Sequence, residues 1–214
     1  KLIGTGPNVT QVSPNAARAK ITNSLGDGVT LANDNEVTNL HILDTGKSAV
    51  FGLNVDEAFI HGNLITGYNR GEHILSTFGG TLGYHGIQLI ANSDGNEFNY
   101  IVNDNVVRDA ESGGINLNCT GSVATEILLN GNALMDITLD APFERVQAIQ
   151  IGAADGAIVE GTVQNTFVDN IGSGNSNSDG MIFAIGGQSF APSSQRRSQI
   201  DIVVKHYTYR NTKG

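Results

Sequence analysis

Four residues of this chain carry the groups that acid–base chemistry on sugar polymers needs: His61, Tyr84, His85 and Asp104. Adjacent phenol and imidazole groups, as in Tyr84-His85, can pass a proton, and a carboxylate such as Asp104 can receive one. The pair ends a long stretch, Tyr68 to His85, that also holds Glu72 and His73, and long loops beside a scaffold are where function tends to sit. A second set is acidic. Asp109, Asp136 and Asp169 recur at one step of a repeated phrase, and Asp179 lies in Asn175-Ser176-Asn177-Ser178-Asp179-Gly180. Oxygen ligands of this kind suit Ca²⁺, the one cation considered; no other cofactor is expected. Each of these three aspartates also stands where a strand enters a turn, and there a carboxylate commonly bonds its own downstream amides. The Asn175 stretch lacks the acidic twelfth ligand of a calcium loop, since Gly186 stands there. The turn reading is therefore preferred for all of them.

These residues must be held by a repeating element. Four segments align on one asparagine: 59–67, 101–109, 128–136 and 161–169, centred on Asn63, Asn105, Asn132 and Asn165, with degenerate copies centred on Leu40 and Tyr207. Three residues before each centre stand Val37, Ile60, Val102, Leu129, Thr162 and Val204; two after it stand Ile42, Ile65, Val107, Leu134, Phe167 and Tyr209. Within a strand, side chains two apart share a face, so two inward columns an odd number of residues apart require a bend between them. The bend falls on Gly-Asn, Asp-Asn and Gln-Asn pairs, which tolerate left-handed backbone. A further strand opens after each corner strand on a small residue, as in Gly86-Ile87-Gln88-Leu89 and Gly114-Ile115-Asn116-Leu117, and another precedes each corner. Each unit is thus three short strands and three turns, with insertions at the turns. Stacked units pair strand on strand about 4.8 Å apart. Corner asparagines in line could bond one another and satisfy the turn amides.

The phrase with its central Asn, followed by Gly-Ile and alternating apolar residues, resembles the right-handed parallel β-helix repeat of the pectin-lyase-like superfamily over residues 28–211. The resemblance implies an all-β solenoid of about six to seven coils with three short strands per coil. One domain, 1–214, is expected, with 1–27 as an end cap or partial coil and Ser13 to Lys20 as a short helical turn. A segment of a longer secreted chain is the expected context. The superfamily it resembles holds lyases, hydrolases and epimerases beside tailspikes and non-catalytic adhesins, so the fold leaves function open.

Composition narrows it. The chain has 214 residues, 12 Lys and Arg against 21 Asp and Glu for a net charge of −9, 27 Gly, 23 Asn, one Cys and no Trp. The acidic balance argues against nucleic acid, whose phosphates need clustered cations. No apolar run reaches the roughly 20 residues of a membrane helix, and a single cysteine excludes an internal disulfide framework. An eliminating lyase needs a strong base with cations for the uronate, yet Arg108 and Lys205 are separated by two coils, roughly 15 Å along the axis. A hydrolase needs two carboxylates about 5–9.5 Å apart, and Asp104 finds no clear partner at its own step in an adjoining coil. The reading is therefore an extracellular or cell-surface β-helix with a structural or carbohydrate-binding role, of the adhesin or fibre-forming kind. Its partners would be a glycan or, through the solenoid ends, further copies of itself. The alternative is a polysaccharide-active enzyme (uronate lyase, epimerase or glycoside hydrolase) with a groove near His61, His85 and Asp104.

Overall fold

The computed structural model describes residues 2–3, 18–68, 74–75, 81–82, 85–111, 113–138, 146–172, 178–186 and 197–210. Every sheet but one small hairpin is parallel, because each strand pairs with its counterpart one coil away. The sheet before the corner stacks seven strands: Leu2–Ile3, Asn35–Thr38, Glu57–His61, Glu97–Asn103, Ala124–Asn130, Ile158–Gln164 and Gln199–Lys205. The sheet after the corner stacks Ala19–Thr22, Leu40–Leu43, Leu64–Thr66, Val106–Glu111, Ala133–Thr138, Phe167–Ile171 and Thr208–Arg210. A third sheet stacks Val29–Thr30, Val50–Leu53, Ile87–Ala91, Ile115–Thr120, Val146–Ala154 and Ser178–Gly186. The chain is a right-handed parallel β-helix, the hand that parallel crossovers of right-twisted strands take. An antiparallel pair, Ile74–Leu75 with Thr81–Leu82, stands apart from the stack.

Three inward columns fill the core. Val37, Ile60, Val102, Leu129 and Val163 line the first sheet, Ile42, Ile65, Val107, Leu134 and Val168 the second, and Val50, Ile87, Ile115 and Ile149 the third, all buried. Rung lies on like rung, so each side chain packs against one of similar shape above and below, and the close packing of a protein interior extends along the axis. At the last rung these columns lose their cover: Val204 is 42% exposed and Tyr209 39%.

Two features differ from expectation. Ala19 and Lys20 are strand, paired with Leu40 and His41, so this part of the Ser13–Lys20 stretch is a rung and not a helical turn; Ser13 to Ala17 lie outside the described residues. Leu2–Ile3 likewise pairs with Val37–Thr38. The second difference is a slip of one residue at the fourth corner. Asn130 pairs with Gln164 and Ala133 with Phe167, which puts Thr166, not Asn165, opposite Asn132. The inward residues of that coil are accordingly Val163 and Val168, both fully buried, in place of Thr162 and Phe167.

The corner itself explains the slip. The residue before the ladder position is left-handed in six coils: Asn39 (φ 56°), Gly62 (65°), Asp104 (54°), Gly131 (68°), Asn165 (50°) and His206 (48°). Asn165 satisfies that backbone requirement, one step before the ladder, as well as Asp104 does. The ladder proper is Asn63, Asn105 and Asn132, all fully buried. Asn63 Nδ2 donates to Val37 O at 2.9 Å, Asn105 Nδ2 to Ile60 O at 2.8 Å and Asn132 Nδ2 to Val102 O at 2.7 Å. The Oδ1 of Asn105 accepts from the backbone N (3.1 Å) and Nδ2 (3.0 Å) of Asn63, and that of Asn132 accepts from the same two atoms of Asn105 at 3.2 and 3.1 Å. Each side chain thus satisfies backbone groups that the corner turns away from the sheets, which would otherwise be buried without partners.

Candidate functional site

The outward face of the sheet before the corner carries an ordered set of polar and apolar columns. Six residues before each corner centre stand Glu57, Asn99, Glu126, Glu160 and Asp201, which the strand register stacks in one column. The next outward column runs Glu36, Phe59, Ile101, Leu128, Thr162 and Val203. Phe59, Ile101 and Leu128 are half-buried and form an apolar strip. Beside it lies an open trough of about 800 Å³, lined by Asp56, Glu57, Glu97, Asn99, Glu126 and Glu160 among others, with no Lys or Arg in its lining. The trough exists because the strands are flat and parallel, so equivalent side chains rise from successive rungs in one line. Its carboxylates are exposed and accept hydrogen bonds; they cannot donate when ionised.

His61 and Asp104 lie at the corner margin of this same face and are not among the residues that line the trough. They are neighbours in space, since burial raises the Asp104 carboxyl above its ordinary value while nearby His61 pulls it down. His61 is already engaged: Nε2 lies 3.0 Å from Glu36 Oε1 and Nδ1 3.2 Å from Thr38 Oγ1. With Nε2–H donating to Glu36, Nδ1 accepts from the threonine hydroxyl. Asp104 is a left-handed corner residue, which accounts for its residue type without catalysis.

His85 is elsewhere. It lies two residues before the third-sheet strand Ile87–Ala91 and is buried; a Cβ on Gly113 would collide with its ring. Burial pushes its pKa down from 6.5 to about 4, and Nδ1 has no hydrogen-bond partner among the described residues. Ser48, Gln88 and Asn116 are buried polar residues of the same sheet, with Ser48 Oγ donating to Gln88 Oε1 at 2.8 Å. The structure therefore brings His61 and Asp104 together and leaves His85 apart from them. Tyr84, like Glu72 and His73, lies outside the described residues.

The aspartates proposed for calcium divide in the same way. Asp44, Asp109 and Asp136 are left-handed (φ 50°, 53° and 51°), and Asn170 (52°) occupies this step in the following coil. Asp169 belongs one residue earlier, opposite Met135. Asp136 Oδ1 accepts from Asn170 Nδ2 at 2.6 Å, and Asp109 pairs with Arg108 at 3.2 Å. Asp179 sits in a strand opposite Gln147. Among the described residues no three His, Cys, Asp or Glu side chains converge in a metal-holding arrangement. Cys119 is buried, its thiol pushed up to about 11 by burial, and Sγ donates to Thr125 Oγ1 at 3.3 Å. No helix among the described residues is long and apolar enough to cross a membrane.

The acidic column was within reach of sequence reasoning but needed the correct register. Counted from Asn165 the sixth residue back is Val159, which breaks the column; counted from Thr166 it is Glu160, which completes it. Comparison with protein-family models, with curated proteins and with solved structures found no match to this chain.

Proposed function

We propose that this β-helix, of the pectin-lyase-like kind, is an extracellular carbohydrate-binding module that holds an uncharged glycan along the trough before the corner. The observation that carries this reading is the juxtaposition of the carboxylate column with the apolar strip Phe59, Ile101 and Leu128. Sugar rings offer hydroxyl donors at their edges and C–H groups on their faces; carboxylates take the first by charge-assisted hydrogen bonds and apolar side chains cover the second. A rung rises about 4.8 Å, close to the length of one hexose unit, so a polymer running along the axis meets similar chemistry at each step. Charge selects the class of glycan. With Asp56, Glu57, Glu97, Glu126 and Glu160 on its walls, the trough repels a polyuronate, which counts against the uronate lyase reading. Electrophoresis of the protein through gels containing soluble uncharged polysaccharides or polyuronate tests this. Retardation by an uncharged polymer is the expected result, and none in any uncharged gel would remove the proposal.

Glycoside hydrolysis is favoured by one specific feature. Glu126 and Glu160 sit on adjacent rungs as direct register partners, so their exposed carboxylates can close to the separation of about 5–5.5 Å that a retaining pair uses. Release of new reducing ends by the wild-type chain, abolished in Glu160→Gln, supports hydrolysis; binding without release leaves the module non-catalytic.

A further inference from the structure

The sheet after the corner carries a cluster of opposite charge near the first rungs. Arg18 immediately precedes the strand Ala19–Thr22 and is only 9% exposed. Its Nε, Nη1 and Nη2 are all buried and have no hydrogen-bond partner among the described residues. Burial alone lowers its pKa, and among the described residues no carboxylate offsets it. Lys20 is stacked directly on His41, His41 Nε2 lies 2.9 Å from Thr66 Oγ1, and Thr66 is the register partner of Arg108. Arg18 and Lys20 thus share one rung and His41 sits on the next, with Arg108 two rungs further along the same face, in a chain whose net charge is −9. His41 feels all of them. Its pKa is held below the usual value by burial first and then by Lys20, Arg18 and Arg108, against a smaller opposite pull from Asp44. Two carboxylates border the cluster: Asp44, and Asp109, which pairs with Arg108 at 3.2 Å.

A guanidinium out of water with none of its donors engaged is costly, and such groups are ordinarily paired with an anion. Its planar fork of N–H donors matches carboxylate, sulfate and phosphate oxygens two at a time. We infer that Arg18, with Lys20 and His41, forms a binding site for an oxyanion, the carboxylate or the sulfate or phosphate ester of an acidic ligand. This site lies on a different face from the trough and does not depend on the glycan reading. Arg18 takes the anion by its fork, Lys20 on the same rung adds a second positive charge, and the Thr66 hydroxyl holds the imidazole of His41 in place, while Arg108, two rungs beyond His41, adds only long-range attraction.

Thermal unfolding tests the site with sodium acetate, sodium sulfate and sodium phosphate, each compared with sodium chloride at equal ionic strength. A saturable rise in Tm with at least one oxyanion is expected in the wild-type chain. Arg18→Gln should be more stable than wild type without anion, since it removes an unpaired buried charge, and should bind the effective anion about tenfold more weakly or less. Lys20→Ala, at an exposed position, should weaken the same response severalfold, which keeps the test decisive if Arg18→Gln fails to fold. The largest response with acetate assigns a carboxylate ligand, and the largest with sulfate or phosphate assigns an ester. Equal Tm in chloride and in all three oxyanions would overturn the site, as would an oxyanion response unchanged in both variants.

Discussion

The sheet before the corner and the sheet after it share their rungs, their register and the asparagine ladder that joins them, yet present opposite chemistry to solvent. On the first, Glu57, Glu126, Glu160 and Asp201 fall in one column beside an apolar strip. On the second, Lys20 and His41 stack on adjacent rungs, with Arg108 two rungs further along. The inward residues of both sheets are interchangeable aliphatics, so the core decides nothing about which face does what. In a solenoid the backbone is the constant and the outward columns are the variable. Function is therefore read rung by rung along the surface, at fixed offsets from the corner.

Breaking the shared element should disturb both faces at once and by the largest amount. Asn105→Ala removes an acceptor for two donors of Asn63 and a donor to Ile60 O and Asn132 Oδ1, leaving several buried polar groups unpaired. A loss of about 4 kcal/mol or more is expected in urea unfolding. A loss under about 1 kcal/mol would mean that the ladder does not hold the corner.

The third face offers a pH handle that should spare the other two. His85 is buried and neutral, with a pKa of about 4 against 6.5 when exposed. Between those values the unfolded chain binds the proton more readily than the folded one, so stability falls as pH drops from about 6.5 towards 4, by roughly 3 kcal/mol in total. His85→Gln should flatten that window of a stability-versus-pH curve; an unchanged slope would assign the acid sensitivity to other groups.

Separating the two charged faces calls for smaller changes. Glu126→Gln with Glu160→Gln should weaken an uncharged glycan about tenfold, near 1.4 kcal/mol, while leaving the oxyanion response of the Arg18 face intact. Loss of both responses together would show that the faces are not independent. The smallest effect is a gain. Thr166→Asn should extend the ladder by one step and raise stability by about 1 kcal/mol, whereas Asn165→Gly, at a left-handed position, should be near neutral.

Much of the scaffold was legible because burial is periodic. Val37, Ile60, Val102 and Leu129 announce an inward column, and its odd separation from Ile42, Ile65, Val107 and Leu134 announces a bend. The fourth corner misleads because asparagine suits two different jobs there, amide ladder and left-handed turn, and Asn165 does the second. A polar Thr162 in an otherwise apolar column was the sign that the alignment had slipped, and Val163 beside it was the remedy. Exposed columns have no such internal check, since solvent tolerates any polar residue, so the acidic column emerges only once the rungs are in register. Arg18 was not legible at all. Its burial and its lack of partners follow from three-dimensional packing around one side chain, which no spacing rule encodes.

The most direct test of the account is calorimetric titration of uncharged oligosaccharides, chosen from a glycan array, into the wild-type chain and into Glu126→Gln/Glu160→Gln. The account predicts measurable binding by the wild type and at least about tenfold weaker binding by the double variant. Equal affinity in the two proteins, or an array on which only acidic glycans are retained, would contradict it.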